Sequence, residues 1–185
     1  MELSDKQLIE AFLAGDDAAF EELVKRYLKT VYNFLYRLTG GDMAALDDLT
    51  QVTFIKAWKN IKRFDREKKF KTWIFTIAKN TAYDYFKKKR TVPFSLFEDG
   101  DGNSRLENIS EDKLLPDEIL DKAQSVEALD EKLKKIPDRY RIILLMRYKD
   151  DLSLQEIAEI LDLPYNTVKS QHQRALAKLK QEFTK

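Results

Sequence analysis

The stretch KFKTWIFTIAKNTAYDYFKKKR, residues 69 to 90, places six aromatic rings and seven Lys or Arg side chains beside a single acid, Asp84. Aromatic faces stack on bases and cations pair with phosphates, so this mixture has the chemistry of a surface for an opened nucleic-acid strand. It also has the chemistry of an ordinary amphipathic helix. Phe70, Trp73, Ile74, Ile77 and Ala78 recur at i, i+3, i+4, i+7 and i+8, the spacing of a stripe turned into a core. Lys71, Phe75, Lys79 and Asn80 lie off that stripe, with Lys87 to Arg90 beyond, and are the candidates for an accessible face. Trp73 fits either side, and its spacing does not choose between them.

A second pattern lies near the other end. LSLQEIAEILDLPYNTVKSQHQRALAKL, residues 152 to 179, reads as two helices joined by a three-residue turn, Asp162-Leu163-Pro164. Ser153 and Glu156 form a capping box, and Ala158 is small where a second helix can cross closely. In the second helix Val168, His172, Ala175, Leu176 and Leu179 share one side, and Asn166, Lys169, Ser170, Gln173 and Ala177 share the other. This is the layout of a helix-turn-helix, whose second helix offers polar side chains to the major groove. Lys donates to guanine O6 or N7, and Asn or Gln can pair bidentately with adenine. An ordinary helical hairpin with a solvated face is the competing reading. His172 sits on the apolar side without a His or Cys companion, which makes it a packing residue.

Composition narrows the remaining chemistry. The chain has 185 residues, no cysteine and one histidine. Disulfides, thiolate metal sites and histidine clusters are therefore excluded. No catalytic residue, metal-ligand set or cofactor site emerges; Asp47-Asp48 is the nearest approach to a carboxylate pair, and it lacks a nucleophile beside it. No stretch approaches the roughly 18 apolar residues of a membrane span, nor is there a signal-peptide pattern, which predicts a soluble, cytoplasmic protein. The net charge of +1 hides a strong segregation. Residues 56–90 carry 13 basic against 3 acidic side chains, and residues 94–121 carry 2 against 9.

Helix signals run through most of the chain. Ser4 with Gln7 opens a short helix that Gly15 stops. A second begins near Asp16 and carries Phe20, Leu23, Val24, Tyr27, Val31, Leu35 and Leu38 on one face. A third opens at Asp42 and runs to about Phe64, with Leu46, Leu49, Thr53, Ala57 and Ile61 inward. The opening stretch supplies a fourth and a fifth, broken near Asn80 or Thr81. From Thr91 to about Pro116 there is no sustained period, and Pro93, Gly100, Gly102, Asn103 and many acids stand there instead; a run of that length predicts a linker. Helices then resume through Val126, Leu129 and Leu133 and from Asp138 to Lys149. The expected fold is all-α: two small helical domains, 1–92 and 121–185, joined by an acidic flexible linker, 93–120, with the helix-turn-helix in the second.

Three blocks in this order, ALDDLTQVTFIKAW (45 to 58), KFKTWIFTIAKN (69 to 80) and LSLQEIAEILDLPYNTVKS (152 to 170), resemble the bacterial extracytoplasmic-function (ECF) sigma factors over nearly the whole chain. The resemblance implies that Asp47, Asp48, Gln51 and Phe54 contact the clamp helices of the RNA polymerase core. It implies that Lys56, Lys69, Lys71 and Lys79 follow the DNA backbone at the −10 element, that Trp73 and Phe75 stand where base pairs separate, and that Asn80 with Thr81 edges a pocket for a flipped base. For the −35 element it implies Asn166, Thr167, Lys169, Ser170, Gln173, Arg174 and Lys178. Partners would be RNA polymerase core, promoter DNA and an anti-sigma factor, with no direct membrane insertion. The alternative is a stand-alone helix-turn-helix regulator that binds duplex DNA without polymerase, which leaves the first two blocks without a task.

Overall fold

In a computed structural model, residues 3–40, 42–89 and 126–184 are described; their regular elements are all helical, with no strand among the described residues. The expected linker, 93–120, and Arg90 lie outside the described residues. The chain divides into two compact units, Met1–Pro93 and Phe94–Lys185.

The first unit contains α1 (Asp5–Leu13), α2 (Asp17–Leu38), α3 (Met43–Asn60), a 3₁₀ turn (Ile61–Arg63) and α4 (Phe70–Lys89). Local chemistry starts each of the first three. Ser4 and Gln7 close a reciprocal capping box on α1, Asp16 accepts from the Ala18 amide, and Asp42 accepts from the Ala44 amide; a cap of this kind is worth about 1 kcal/mol. Gly15, at a φ of 105°, makes the turn between α1 and α2. Leu23, Phe34 and Leu35 of α2, Leu46 and Ala57 of α3, and Ile74, Phe75 and Ala78 of α4 are fully buried together. Two threonines sit inside α3 with their buried hydroxyls satisfied, because Thr50 donates to the Leu46 carbonyl and Thr53 to that of Leu49.

Expectation and structure part company in α4. The helix does not break near Asn80 or Thr81 but continues unbroken for 20 residues. Thr81 stays in register because its hydroxyl donates 2.8 Å to the Ile77 carbonyl one turn back, so a polar side chain that could have ended the helix is satisfied within it.

The second unit contains α5 (Val126–Leu133), α6 (Asp138–Leu144), one π-helical turn (Leu145–Lys149), α7 (Leu154–Leu161) and α8 (Tyr165–Thr184). Its core gathers Leu133, Ile136, Tyr140, Leu144, Ala175, Leu176 and Leu179. α7 opens on the Ser153–Glu156 capping box and closes at Asp162, whose backbone is left-handed at φ 59° and ψ 46°. Buried Arg147 reaches out of the π turn and donates 3.1 Å to the Leu152 carbonyl, fixing the entry into α7.

Candidate nucleic-acid interface

α4 has one accessible stripe, and it is not the expected one. Asn80, Tyr83, Asp84 and Lys87 are exposed along it, with Trp73, Thr76 and Ile77 half-buried in the preceding turns. Phe75 is fully buried: its ring lies 4.6 Å from that of Phe34. Phe75 therefore belongs to the core, and a base cannot reach it. Lys79, at 9% exposure, also lies on the inner side and does not join a backbone track. Trp73 packs on one side and stays open on the other. Its ring packs 5.0 Å from Phe64 and 5.6 Å from Phe70, while the side chain stays partly open at the head of the stripe.

The expected pocket between Asn80 and Thr81 does not form. Asn80 points along the outer stripe, whereas buried Thr81 lines a separate hollow between α3 and α4 with Lys56, Asp84, Tyr85 and Lys88. Lys56 is held there by Asp84, Nζ to Oδ2 at 3.0 Å. Adjacent helices thus share their charges across this hollow.

A different pocket, of about 380 Å³, opens where α1, α2 and the segment leading into α4 meet. Tyr27, Phe64 and Phe70 line it with Lys6, Arg66, Lys68, Lys69 and Lys71. Phe64 and Phe70 are buried and Tyr27 is half-buried, so the rings form an apolar floor beneath a cationic rim suited to phosphates. Beneath them Asp5 accepts from Arg26, at 2.6 Å, and from the Tyr27 hydroxyl. Burial, reinforced by that hydrogen bond to Asp5, raises the Tyr27 pKa, so the phenol keeps its proton and the pocket wall stays neutral. Of the expected residues, Lys69 and Lys71 are brought together here. Arg66 and Lys68 join them unexpectedly, although the run DREKKFK already shows cations clustered before the helix.

On α3, Asp47, Asp48, Gln51 and Phe54 do converge. They line a groove of about 930 Å³ between α2 and α3, together with Phe20, Leu28, Tyr32, Ile55 and Trp58 among others. Asp47, Asp48 and Gln51 are exposed. Phe54 is buried at 7% exposure, while Trp58, Leu28 and Ile55 are 52%, 47% and 44% exposed. Large apolar side chains left open together, edged by acids, mark a surface made to be covered by another protein. Leu28, Ile55 and Trp58 carry a readable signal: each is an apolar residue outside the buried stripe of its own helix.

α7 and α8 form the helix-turn-helix. Val168, His172, Ala175, Leu176 and Leu179 are buried, as their shared side required. On the outer side Asn166, Ser170, Arg174 and Lys178, spaced by four, form one continuous ridge, Asn166 exposed and the rest partly so. Thr167 and Lys169 flank it, also partly open. Gln173 does not belong with them, because it is 8% exposed and turned inward. His172 is 3% exposed and its Nε2 lies 3.0 Å from the Tyr148 hydroxyl. Burial, and secondarily the charge of Arg147, pushes its pKa down to about 4.

Among the described residues no group of His, Cys, Asp or Glu is arranged to hold a metal ion. What the two units offer is surface: a cationic aromatic pocket, a polar ridge on a reading helix, and an apolar groove. Comparison with known proteins agrees with that division. The family model for Sigma-70 region 2 matches residues 23–92, and that for Sigma-70 region 4 matches residues 126–179. The ECF RNA polymerase sigma factor SigW of Bacillus subtilis is 34% identical over 99% of this chain and 98% of its own length. The ECF RNA polymerase sigma-E factor of Haemophilus influenzae is 31% identical over 94% of this chain and 92% of its own. The sigma factor RpoE of Bartonella quintana, solved with the anti-sigma factor NepR, shares the fold at 22% identity, with a TM-score of 0.61 over 89% of this chain and 96% of that one. Two region matches in the proper order and relatives alike from end to end place this chain in the extracytoplasmic-function family of bacterial sigma factors.

Proposed function

We propose that this sigma factor docks on RNA polymerase core through the α2–α3 groove, opens the −10 element with α4 and the cationic aromatic pocket, and reads the −35 element with α8. The observation that carries the reading is the presence, in one chain, of a unit suited to single-stranded DNA and a unit suited to duplex DNA, each matched by its own sigma region. Residues 1–92 do the first task and 121–185 the second. The acidic segment 93–120 joins them in sequence.

Every step is binding, with no covalent chemistry by this chain. Asp47, Asp48 and Gln51 give the groove its polar edge, and Phe54, Ile55 and Trp58 its apolar floor, for a helical element of the core. Unstacking a base costs a few kcal/mol, and stacking it on aromatic side chains returns about 1 to 3 kcal/mol. A flipped base meets the partly open Tyr27 at the mouth of this pocket, over a floor of buried Phe64 and Phe70, with Lys69 and Lys71 meeting the phosphates on either side. Trp73 and Asn80 then line the route of the separated strand along α4, while Lys56 reaches the backbone from α3. Asn166, Ser170 and Arg174 face base edges in the upstream major groove; Thr167, Lys169 and Lys178 flank them.

The chain works in the cytoplasm beside polymerase; among the described residues no helix is long and apolar enough to cross a membrane. An anti-sigma protein is its second protein partner, a reading supported by the NepR-bound neighbour and testable by co-purification from native cells.

Run-off transcription with bacterial core polymerase on a promoter library tests the whole reading. Added chain is expected to make core promoter-specific. Tight sequence-specific duplex binding without core, with transcription unchanged, would establish the stand-alone regulator instead.

A further inference from the structure

Asp84 is the single acid among residues 69–90, beside seven basic side chains. It stands exposed on the open stripe of α4, with Asn80 one turn before it and Lys87 and Lys88 one turn after. A carboxylate there repels the phosphates that this face otherwise attracts. Its partner accounts for the position: Asp84 Oδ2 accepts from Lys56 Nζ of α3 at 3.0 Å, at the edge of the hollow that Lys88 also lines. Folding gains little from the pair, since the Asp84 and Lys56 side chains are 60% and 39% exposed and exposed ion pairs contribute little to stability. α3 and α4 are tied by other means: Tyr85 donates 3.3 Å to Asp42, the cap of α3, and Leu46, Ala57, Ile74 and Ala78 are fully buried. What the pair does fix is the head of Lys56, the end of a flexible four-carbon stem, and it fixes that head without burying it.

We propose that Asp84 is a positioning residue for promoter opening: it holds the Lys56 ammonium at one point on the edge of the α3–α4 hollow, where the strand separated along α4 meets it. The inference rests on the reading of α4 as the helix that carries the opened −10 strand. Lys56 belongs to a different helix from Asn80, Tyr83 and Lys87, so its charge joins their track only when something draws it there. Asp84 is placed to do so, on the stripe of α4 itself and four residues beyond Asn80. An ammonium has three donors, so one given to Asp84 leaves two for a phosphate. A cation already in place also gives up less freedom when the phosphate arrives. Against this stands one negative charge beside the strand, and the signs of the two effects separate them. Charge alone predicts that removing Asp84 tightens DNA binding. Positioning predicts that it weakens binding, and only while Lys56 is present.

The test uses full-length protein assembled with core polymerase, and a promoter selected by the wild-type holoenzyme from the run-off library, prepared as a fork with the −10 non-template strand unpaired. Fluorescence anisotropy measures affinity for the fork, and single-round transcription on the closed duplex measures opening. Asp84→Asn is expected to weaken fork binding and slow opening about threefold, although it makes the chain more positive. Asp84→Glu, which keeps the carboxylate, should recover most of the loss. In a Lys56→Gln background the same Asp84→Asn change should instead tighten fork binding about twofold, because only repulsion is left to remove. Thermal melting of each variant should stay within about 2 °C of wild type; a role in folding alone lowers melting and does not reverse sign with Lys56. Unchanged or tighter binding by Asp84→Asn alone, an equal loss in both backgrounds, or a Lys56→Gln variant that binds the fork like wild type would each overturn the positioning role. Failure of the wild-type holoenzyme to select any promoter would overturn the sigma reading, and the inference with it.

Discussion

The Tyr148 hydroxyl and His172 Nε2 lie 3.0 Å apart, joining the π-helical turn to the inner side of α8 with their rings 5.7 Å from centroid to centroid. The folded unit holds this imidazole neutral, its pKa pushed down to about 4 by burial and by Arg147. The unfolded chain, titrating near the ordinary 6.5, takes up a proton that the folded chain refuses. Stability from this residue is full above pH 6.5 and falls as pH drops toward 4. Between pH 7.5 and pH 5.5 the loss amounts to about 1 kcal/mol. Urea denaturation followed in the second unit at the two pH values checks it, and His172→Gln should flatten the difference.

Phe75 is a core residue, so Phe75→Ala should destabilise the first unit by about 3 to 5 kcal/mol. Promoter opening per folded molecule should stay near wild type at a temperature where the variant is folded. Thermal denaturation and single-round transcription, scored on the same preparation, separate the two effects. A variant that melts normally and fails to open promoters would return Phe75 to the DNA.

Trp58 is half exposed over the apolar groove, so its removal costs the free protein little. Trp58→Ala should leave the melting temperature within about 2 °C of wild type. Affinity for core polymerase should fall by about 2 kcal/mol or more, some thirtyfold, as expected for an aromatic anchor at the middle of an interface. Competition against a labelled sigma factor for limiting core measures the difference.

Asn80 and Thr81 are neighbours in sequence with different surroundings, and their substitutions should separate. Asn80→Ala is expected to slow promoter opening about tenfold, from the loss of about 1 to 1.5 kcal/mol of polar contact, with rescue on a template melted in advance. Thr81→Val should stay within about twofold of wild type, because the hydroxyl it removes serves only the Ile77 carbonyl. Permanganate footprinting of unpaired thymines reads both.

The ridge on α8 predicts a similar contrast. Arg174→Ala should relax base preference at the −35 element and cost about 1 to 3 kcal/mol. Gln173→Ala should leave that preference intact, since Gln173 is turned away from the groove. A −35 library read by sequencing of bound fragments distinguishes them.

Much of this architecture is legible in the order of the residues alone, and the parts that are not have a common cause. Caps at Ser4, Asp16, Asp42 and Ser153 rest on chemistry within three residues, so the sequence displays them directly. The apolar stripe of α3 and the packing role of His172 follow from a single helical period; in α2 the same period also picks out Val24 and Tyr27, which stay half-buried at pocket walls. α4 carries rings on several sides, and period alone cannot rank them. Phe75 is decided by Phe34, forty-one positions earlier, and Gln173 by the way α8 rolls against its neighbours. The groove is likewise a property of two helices together: Leu28 and Trp58 show in the sequence as apolar residues off their own stripes, but only α2 and α3 side by side make them one surface.

An unbroken α4 fixes distances as well as faces. Twenty residues at 1.5 Å each make a rod about 30 Å long, with Phe70 of the cationic pocket in its first turn and exposed Lys87 and Lys88 in its last. On the proposed reading the rod is a ruler laid along the promoter: the interval between a base held at the pocket and the upstream backbone would be set by a count of residues. Inserting one alanine after Ile77 would lengthen the ruler by about 1.5 Å and swing everything beyond it by about 100°, taking Asn80, Tyr83 and Lys87 off the accessible stripe together. On that reading the size of the opened DNA segment would be written in helical register, which a substitution that leaves the helix intact cannot rewrite.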